Sequence, residues 1–325
     1  MARIGVVGTG AWGTALALVA AQAGHEVVFW GRDAARVRRI AADRTNAARL
    51  PGVVIPESVR PTTDLRELTG ATALLLAVPA QRLREVARSL PASAAPLVIA
   101  AKGLERETGL RLSEVLAGER PGVAIAALSG PSFAAEVARC LPTAVTIAAP
   151  EPTFARSLCA LLASPTFRPY PSDDLLGVEL AGALKNVIAI AAGVTMGKGL
   201  GENARAALIA RGLAEMTRLA LVLGARRETL MGLAGLGDLL LTATSLTSRN
   251  TSFGHALGRG RVARELLPEA PLSEGASTAE AACRLGRSIA VELPIAEAVR
   301  AIIAGEQTVD AAIEALLARP LPEGE

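Results

Sequence analysis

Hydrophobic positions along this chain follow two periods in turn, and the period changes close to residue 172. Up to Tyr170, short apolar runs alternate with stretches of helical spacing, the signature of βαβ units and a parallel sheet. The runs predict strands over Arg3–Val7, Glu26–Trp30, Ala73–Val78, Leu97–Ala101, Val123–Leu128 and Ala144–Ala148, with Phe167–Tyr170 as an edge. From Asp173 onward the period is helical almost without a break. Helices are predicted over Asp173–Ala192 and Glu202–Leu223, followed by shorter ones after a glycine-rich turn. Ser277 with Glu280 reads as a capping box, Pro294 opens a helix that Gly305 closes, and Thr308 caps the last one. The pattern therefore predicts an α/β doubly wound domain over residues 1–172 and an all-helical domain over 173–325. A chain of 325 residues also exceeds what one core usually sustains.

Between the first strand and its helix stands Gly8-Thr9-Gly10-Ala11-Trp12-Gly13, a GxGxxG turn. Gly8 permits the tight turn, Gly10 lets a pyrophosphate reach the backbone, and Gly13 lets helix and strand pack closely. The amides of that helix N-terminus then offer donors to phosphate. Residues 1–172 are accordingly expected to be a Rossmann-like, dinucleotide-binding domain. Where an NAD site usually carries an acid, at the end of the second strand, the chain reads Gly31-Arg32-Asp33. Arg32 suits a 2′-phosphate and Asp33 a ribose hydroxyl, so NADP(H) is expected to be preferred and NAD(H) accepted.

Composition narrows the class. With 51% hydrophobic and only 2% aromatic residues, the core is built from Ala, Leu and Val, which suits close-packed helices and buried parallel strands. A net charge of +3 with a pI near 9.0 does not imply nucleic acid, because the arginines are dispersed and stacking aromatics are scarce. The run Arg36, Arg38 and Arg39 reads as a solvated helix face. Cys140, Cys159 and Cys283 form no CxxC pair or metal cluster and are expected as small core residues of a reduced, cytoplasmic protein. Met1 leads almost directly into a strand, which predicts no signal peptide. Leu180–Met196 is interrupted by Lys185 and Asn186, so no membrane span is expected.

The 34 basic residues include only three lysines, Lys102, Lys185 and Lys198. Lysine can release a proton near neutral pH and arginine cannot, which makes each of the three a candidate for proton transfer. Lys102 follows one strand and Ser129-Gly130-Pro131-Ser132 another, both at the carboxyl edge where such sheets bind ligands, with Ser132 expected to cap the next helix. Lys185 has Val178, Ala181, Gly182, Ile188, Ala189 and Ala192 at helical spacing. A lysine on that surface either snorkels to water or occupies a dry pocket, its pKa depressed, with room for a ligand. Asp238, within Gly235-Leu236-Gly237-Asp238-Leu239, suits either a site carboxylate or a helix N-cap. Arg249 between Ser248 and Asn250 offers a fork for phosphate oxygens; a solvated loop is the alternative. His25, in a turn, and His255, expected in a loop, read as structural.

These blocks together resemble the NAD(P)-dependent glycerol-3-phosphate dehydrogenases of bacterial type along nearly the whole chain. They are GTGAWGTALA from Gly8, AKGLE from Ala101, SGPSFAAE from Ser129, ELAGALKNVIAIAAG from Glu179, RGLAEM from Arg211, GLAGLGDL from Gly232 and TSRN from Thr247. The resemblance implies a C-terminal domain like that of 6-phosphogluconate dehydrogenase, and dihydroxyacetone phosphate and sn-glycerol 3-phosphate as small-molecule substrates. It further implies Lys185 as proton donor and acceptor, with Lys102 and Asp238 beside it in the catalytic set. Cofactor contacts are implied from Gly8, Gly10, Ala11, Trp12, Gly13, Arg32, Lys102, Ala134, Arg249, Leu272 and Glu274. Substrate contacts are implied from Lys102, Gly130, Ser132, Lys185, Asp238, Ser248, Arg249 and Asn250, with no metal. A soluble cytoplasmic enzyme that feeds glycerophospholipid synthesis, with a homodimer as the candidate assembly, completes the expectation. Two positions depart from the family pattern: Ala11 stands where serine is common, and Pro271-Leu272-Ser273-Glu274 replaces a valine-containing version.

Two rival readings remain at this level. A 3-hydroxyacid or 6-phosphogluconate-type dehydrogenase shares the architecture and a helix-borne Lys-Asn pair; a catalytically silent NADP(H)-sensing protein shares the first domain.

Overall fold

The computed structural model describes residues 1–92, 95–269 and 274–319. In chain order the elements are β1 (Arg3–Val7), α1 (Ala11–Gln22), β2 (Glu26–Trp30), α2 (Ala34–Asp43), β3 (Thr45–Asn46), β4 (Leu50–Val54), β5 (Val59–Thr62), β6 (Ala73–Leu76), α3 (Leu83–Ser89), β7 (Leu97–Ile99), α4 (Leu112–Glu119), β8 (Ile125–Ser129), α5 (Ala134–Ala138), β9 (Thr143–Ala148), α6 (Pro152–Leu162) and β10 (Phe167–Ser172). Helices follow: α7 (Leu175–Gly197), α8 (Gly201–Val222), α9 (Arg227–Met231), α10 (Asp238–Ala243), α11 (Arg249–Gly258), α12 (Ala263–Glu269), α13 (Glu274–Ser288), α14 (Pro294–Ala304) and α15 (Val309–Leu317).

The first compact unit, Met1–Lys102 with Leu110–Glu179, is built on an eight-stranded sheet ordered β10-β9-β8-β7-β6-β1-β2-β5. Its central strands are continuous apolar runs because helices cover both faces; every residue of β6 is buried. Ile4, Val6, Ala73, Leu75, Val98 and Leu128 pack toward α1 and α6 as one core. The expected parallel sheet holds except at one place: β9 runs antiparallel to β8, then parallel to β10. A strand buried on both faces reads the same in either direction, so the apolar pattern carried no sign of this. Three strands were also not anticipated. β5 is an edge strand paired only with β2, where Pro61 is tolerated because its missing N–H faces no partner strand. β3 and β4 form a separate short hairpin.

The second unit comprises Gly103–Gly109 with Leu180–Glu325, so the compact units divide at 179/180 where the pattern suggested 172/173. Glu179, on the second turn of α7, explains the difference. Its buried carboxylate accepts from Ser113 N (2.8 Å) and Ser113 Oγ (2.5 Å) and pairs with Arg111 (3.0 Å), capping α4 from outside that helix. Burial pushes that carboxyl above its ordinary pKa, with Ser113 pulling the other way. Segment 103–109 belongs to the second unit because Arg106 donates to Ser277 Oγ (2.6 Å) and Arg284 donates to the Arg106 and Glu107 carbonyls.

That use of Ser277 corrects the expected capping box: α13 opens at Glu274, and Ser277 lies inside it with its hydroxyl committed to Arg106. Pro294 at the start of α14, Gly305 at its left-handed C-cap and Thr308 capping α15 are as anticipated. Two local expectations fail. Cys140 is exposed in a left-handed conformation (φ 60°) while Cys159 and Cys283 are buried, and His255 lies in α11 and not in a loop.

Within the second unit, α7 and α11 approach at backbone distance. A Cβ on Gly193 would overlap the Thr251 carbonyl, one on Gly197 that of His255, one on Gly254 that of Ile190. Two glycines spaced by four on each helix therefore set how α11 is carried by α7. By length and composition α7 could cross a membrane, yet 83% of its most apolar window is buried inside the protein.

Candidate functional site

In the first unit the opening glycine turn has the shape a dinucleotide pyrophosphate requires. Gly8 sits at φ 120°, where a Cβ would press on the Ala77 carbonyl, and a Cβ on Gly13 would overlap the Gly8 carbonyl. A Cβ on Gly10 would meet nothing within 4 Å, so the turn is open on that side. No side chain caps the N-terminus of α1, which leaves its first amides as donors. Trp12 Nε1 is buried without a partner among the described residues. The residues present fit the pyrophosphate half of a nicotinamide dinucleotide.

At the end of β2, Arg32 is exposed. Asp33 is engaged elsewhere: it caps α2 by accepting from Arg36 N (3.0 Å) and pairs with the Arg36 guanidinium (3.3 Å). The Arg36 amide, with desolvation opposing it, holds the Asp33 carboxyl below the usual range. Lys102, half-buried after β7, donates to the Gly130 carbonyl (3.2 Å). Ser132 donates to the same carbonyl (2.9 Å) and does not cap α5, whose N-cap is Phe133 with no side-chain bond. Gly130 itself is held at φ 138° with Val145 pressing where a Cβ would stand. Ala134 opens α5.

In the second unit Lys185 is 6% exposed on α7, and of the two environments its neighbours allow, it occupies the dry one. Its Nζ donates to Asp238 Oδ1 (2.6 Å) and to Thr242 Oγ1 (2.7 Å). Asp238 (1% exposed) is the first residue of α10 and Thr242 stands one turn later, so one short helix presents both partners to the ammonium. Burying an amine and a carboxylate is tolerated because each offsets the other's lost hydration.

Ser248 caps α11 through Thr251 N (3.3 Å), and Arg249, exposed, is that helix's first residue. Asn250 differs from expectation: its side chain is buried and engaged within the protein. Nδ2 donates to Asn186 Oδ1 (2.9 Å) and Oδ1 accepts from Gly275 N (3.1 Å), tying α7, α11 and α13 together. Glu274 opens α13, and Leu272 lies outside the described residues. Thr242, Asn186 and Asn46 are polar residues that sequence reasoning missed. Thr242 had a signal in its i, i+4 spacing from Asp238; Asn186 had only its adjacency to Lys185. Among the described residues no cluster of three or more His, Cys, Asp or Glu could hold a metal ion.

Comparison with known proteins agrees with this layout. Residues 3–155 match the family model described as NAD-dependent glycerol-3-phosphate dehydrogenase N-terminus, and residues 174–314 match its C-terminus counterpart. The chain is 52% identical over 322 residues to a glycerol-3-phosphate dehydrogenase (NAD(P)+) of Parvibaculum lavamentivorans, across 98% of this chain and 97% of that protein. It is 51% identical over 324 residues to the same enzyme of Rhodospirillum rubrum, across 98% and 93% of the two chains. Among solved structures, a glycerol-3-phosphate dehydrogenase from Coxiella burnetii superposes with a TM-score of 0.92 at 40% identity, covering 98% of this chain and 99% of that one.

Proposed function

Since the chain belongs to the NAD-dependent glycerol-3-phosphate dehydrogenase family, we propose that Lys185 is the proton donor and acceptor of its reaction. The chain is an NAD(P)-dependent oxidoreductase that interconverts dihydroxyacetone phosphate and sn-glycerol 3-phosphate. One observation carries the role of Lys185: its ammonium is buried and held at two points, by Asp238 and Thr242.

When bound, the nicotinamide coenzyme supplies hydride to the ketone's C2 or takes it from the alcohol's C2. During reduction, charge builds on the C2 oxygen, and the Lys185 ammonium gives that oxygen a proton, leaving a neutral amine. In the oxidative direction the amine takes the C2 hydroxyl proton back. Asp238 balances the ammonium and, with the Thr242 hydroxyl, restricts where Nζ points, so the donor does not have to be oriented anew each turnover. Arg249 at the start of α11, with Ser248 and Asn250, is assigned the phosphate end, where a guanidinium fork and helix amides suit an anion. Because the Asn250 carboxamide is already bound to Asn186 and Gly275 N, its share of that task falls to its backbone amide. Lys102, Gly130 and Ser132 are assigned to substrate as well.

The coenzyme is assigned to Gly8, Gly10, Ala11, Trp12 and Gly13 at the pyrophosphate, with Lys102, Ala134, Arg249 and Glu274 as further contacts. NADP(H) is the preferred form, because Asp33 is engaged as the cap of α2 and Arg32 is exposed for a 2′-phosphate.

Lys185→Met tests the assignment. Turnover with dihydroxyacetone phosphate is expected to fall by about 10³ or more, the scale of general acid catalysis, while NADPH affinity stays within about twofold. Turnover within a few-fold of wild type, measured by NADPH absorbance, would remove Lys185 from the mechanism.

A further inference from the structure

We propose that Asn46, through Thr14, is the positioning residue that aims the two pyrophosphate-facing amides of the glycine turn. Asn46 lies on β3 and is 3% exposed. Its Nδ2 donates one hydrogen to the Thr9 carbonyl (3.1 Å) and the other to Thr14 Oγ1 (2.8 Å). The Thr14 hydroxyl in turn donates to the Gly10 carbonyl (2.8 Å), which also accepts Thr14 N (2.9 Å) as the first bond of α1. Thr9 and Thr14 are themselves buried.

The consequence follows from peptide geometry. A trans peptide is planar, with its carbonyl and the following N–H on opposite sides, and the described chain contains no cis bond. Fixing the Thr9 carbonyl toward Asn46 therefore turns the Gly10 N–H away from it. Fixing the Gly10 carbonyl toward Thr14 does the same to the Ala11 N–H. Gly10 has open space where a Cβ would stand, and no side chain caps α1 at these amides. Without the Asn46 carboxamide, the Thr9 carbonyl and the Thr14 hydroxyl would each lose a buried donor, and the glycine turn, with the backbone freedom of its glycines, would choose among several orientations.

Asn46 is placed by the residue two positions before it. Arg44 adopts a left-handed conformation (φ 51°) as it leaves α2 and donates to the carbonyls of Ile55 (3.1 Å), Pro56 and Val59 (2.9 Å). That staple holds the β3–β4 hairpin against the start of β5 and so fixes where Asn46 enters the turn.

The proposal rests on the reading of Gly8–Gly13 as a pyrophosphate cradle, so the experiment separates the two. Dissociation constants for ADP are measured by calorimetry, and those for NADH and NADPH by fluorescence, on wild type, Asn46→Ala, Thr14→Val and Thr14→Ser. Both Asn46→Ala and Thr14→Val should weaken all three ligands by a common factor of about ten, because all three share the pyrophosphate. Thr14→Ser, which keeps the hydroxyl relay, should return within about twofold of wild type. Thr14→Val is nearly isosteric and removes the hydroxyl, and with it both the bond to the Gly10 carbonyl and the one it accepts from Asn46, while keeping the Asn46 bond to the Thr9 carbonyl, so it decides the matter if Asn46→Ala does not fold. Affinities within twofold of wild type, alongside a lowered melting temperature, would reduce Asn46 to a structural residue and overturn the proposal. A loss confined to NADPH would overturn it too, since that locates the effect at the 2′ end. Failure of wild type itself to bind ADP would remove the cradle on which the proposal stands.

Discussion

Asp33 and Arg32 are neighbours at the end of β2 with opposite commitments. The carboxylate is bound to the amide and guanidinium of Arg36, while the arginine before it is exposed. A charge-assisted bond to a 2′-phosphate contributes about 1.5–3 kcal/mol, or roughly 10- to 100-fold in affinity. Arg32→Ala is therefore expected to weaken NADPH by that factor and leave NADH within about twofold, read by fluorescence titration; equal losses for both coenzymes would place Arg32 on a part they share. Lys185 and Asp238 could be singled out from the sequence because a charge set among small apolar neighbours needs a reason to be there, and the fold pairs the two. The reverse holds for Asn46, whose partners are a carbonyl 37 residues and a hydroxyl 32 residues away along the chain. No local pattern encodes a bond of that kind. Asn250 shows the same blindness in another form: its residue type suggested a phosphate ligand, and only the fold reveals that both ends of its carboxamide are already bound.

At the scale of elements, the approach of α7 and α11 is decided by glycines that the helical pattern would rather see replaced by alanine. A Cβ on Gly254 would overlap the Ile190 carbonyl, a backbone atom that cannot swing aside. Gly254→Ala is expected to cost about 3 kcal/mol or more, since overpacking against backbone offers no cheap relaxation. Gly118 in α4 supplies the contrast, with nothing within 4 Å of its would-be Cβ and no left-handed backbone. Gly118→Ala should be neutral or stabilising by up to about 1 kcal/mol. Urea midpoints of the two variants should move in opposite directions, and a stable Gly254→Ala protein would mean the helices do not meet this closely. Most elements were readable from period and punctuation, because α/β alternation, Pro294, Gly305 and Thr308 are local signals. What failed was non-local. The Ser-x-x-Glu spacing at Ser277 occurs as readily inside a helix as at its start, the direction of β9 depends on its neighbours, and β5 is too short and too polar to stand out.

For the molecule as a whole, buried and surface carboxylates pull the stability in separate pH windows. Asp33, Asp64, Glu119 and Glu306 are held below their ordinary pKa chiefly by bonds to arginines or backbone amides; at Glu297 desolvation is the largest single effect, and the bonds to Arg287 and Arg300 together outweigh it and lower the carboxyl too. Their contribution is complete above the unfolded carboxylate range and is lost as pH falls from there through the lowered folded values; being at the surface, it is small. Glu215 behaves oppositely. It is 2% exposed on α8, and burial pushes its carboxyl up to about 7, although it accepts from Ile295 N and Ala296 N (both 2.9 Å) at the start of α14. Between its ordinary pKa near 4.5 and about 7, the folded chain keeps a proton that the unfolded chain has released. Stability therefore declines as pH rises through that interval, by about 3 kcal/mol at roughly 1.4 kcal/mol per unit. Glutamine does not titrate, so Glu215→Gln should gain on wild type by that amount between pH 4.5 and 8 in urea unfolding. A gap between the two that stays constant with pH would mean the α14 amides hold Glu215 ionised throughout, and the helix terminus would then outweigh burial.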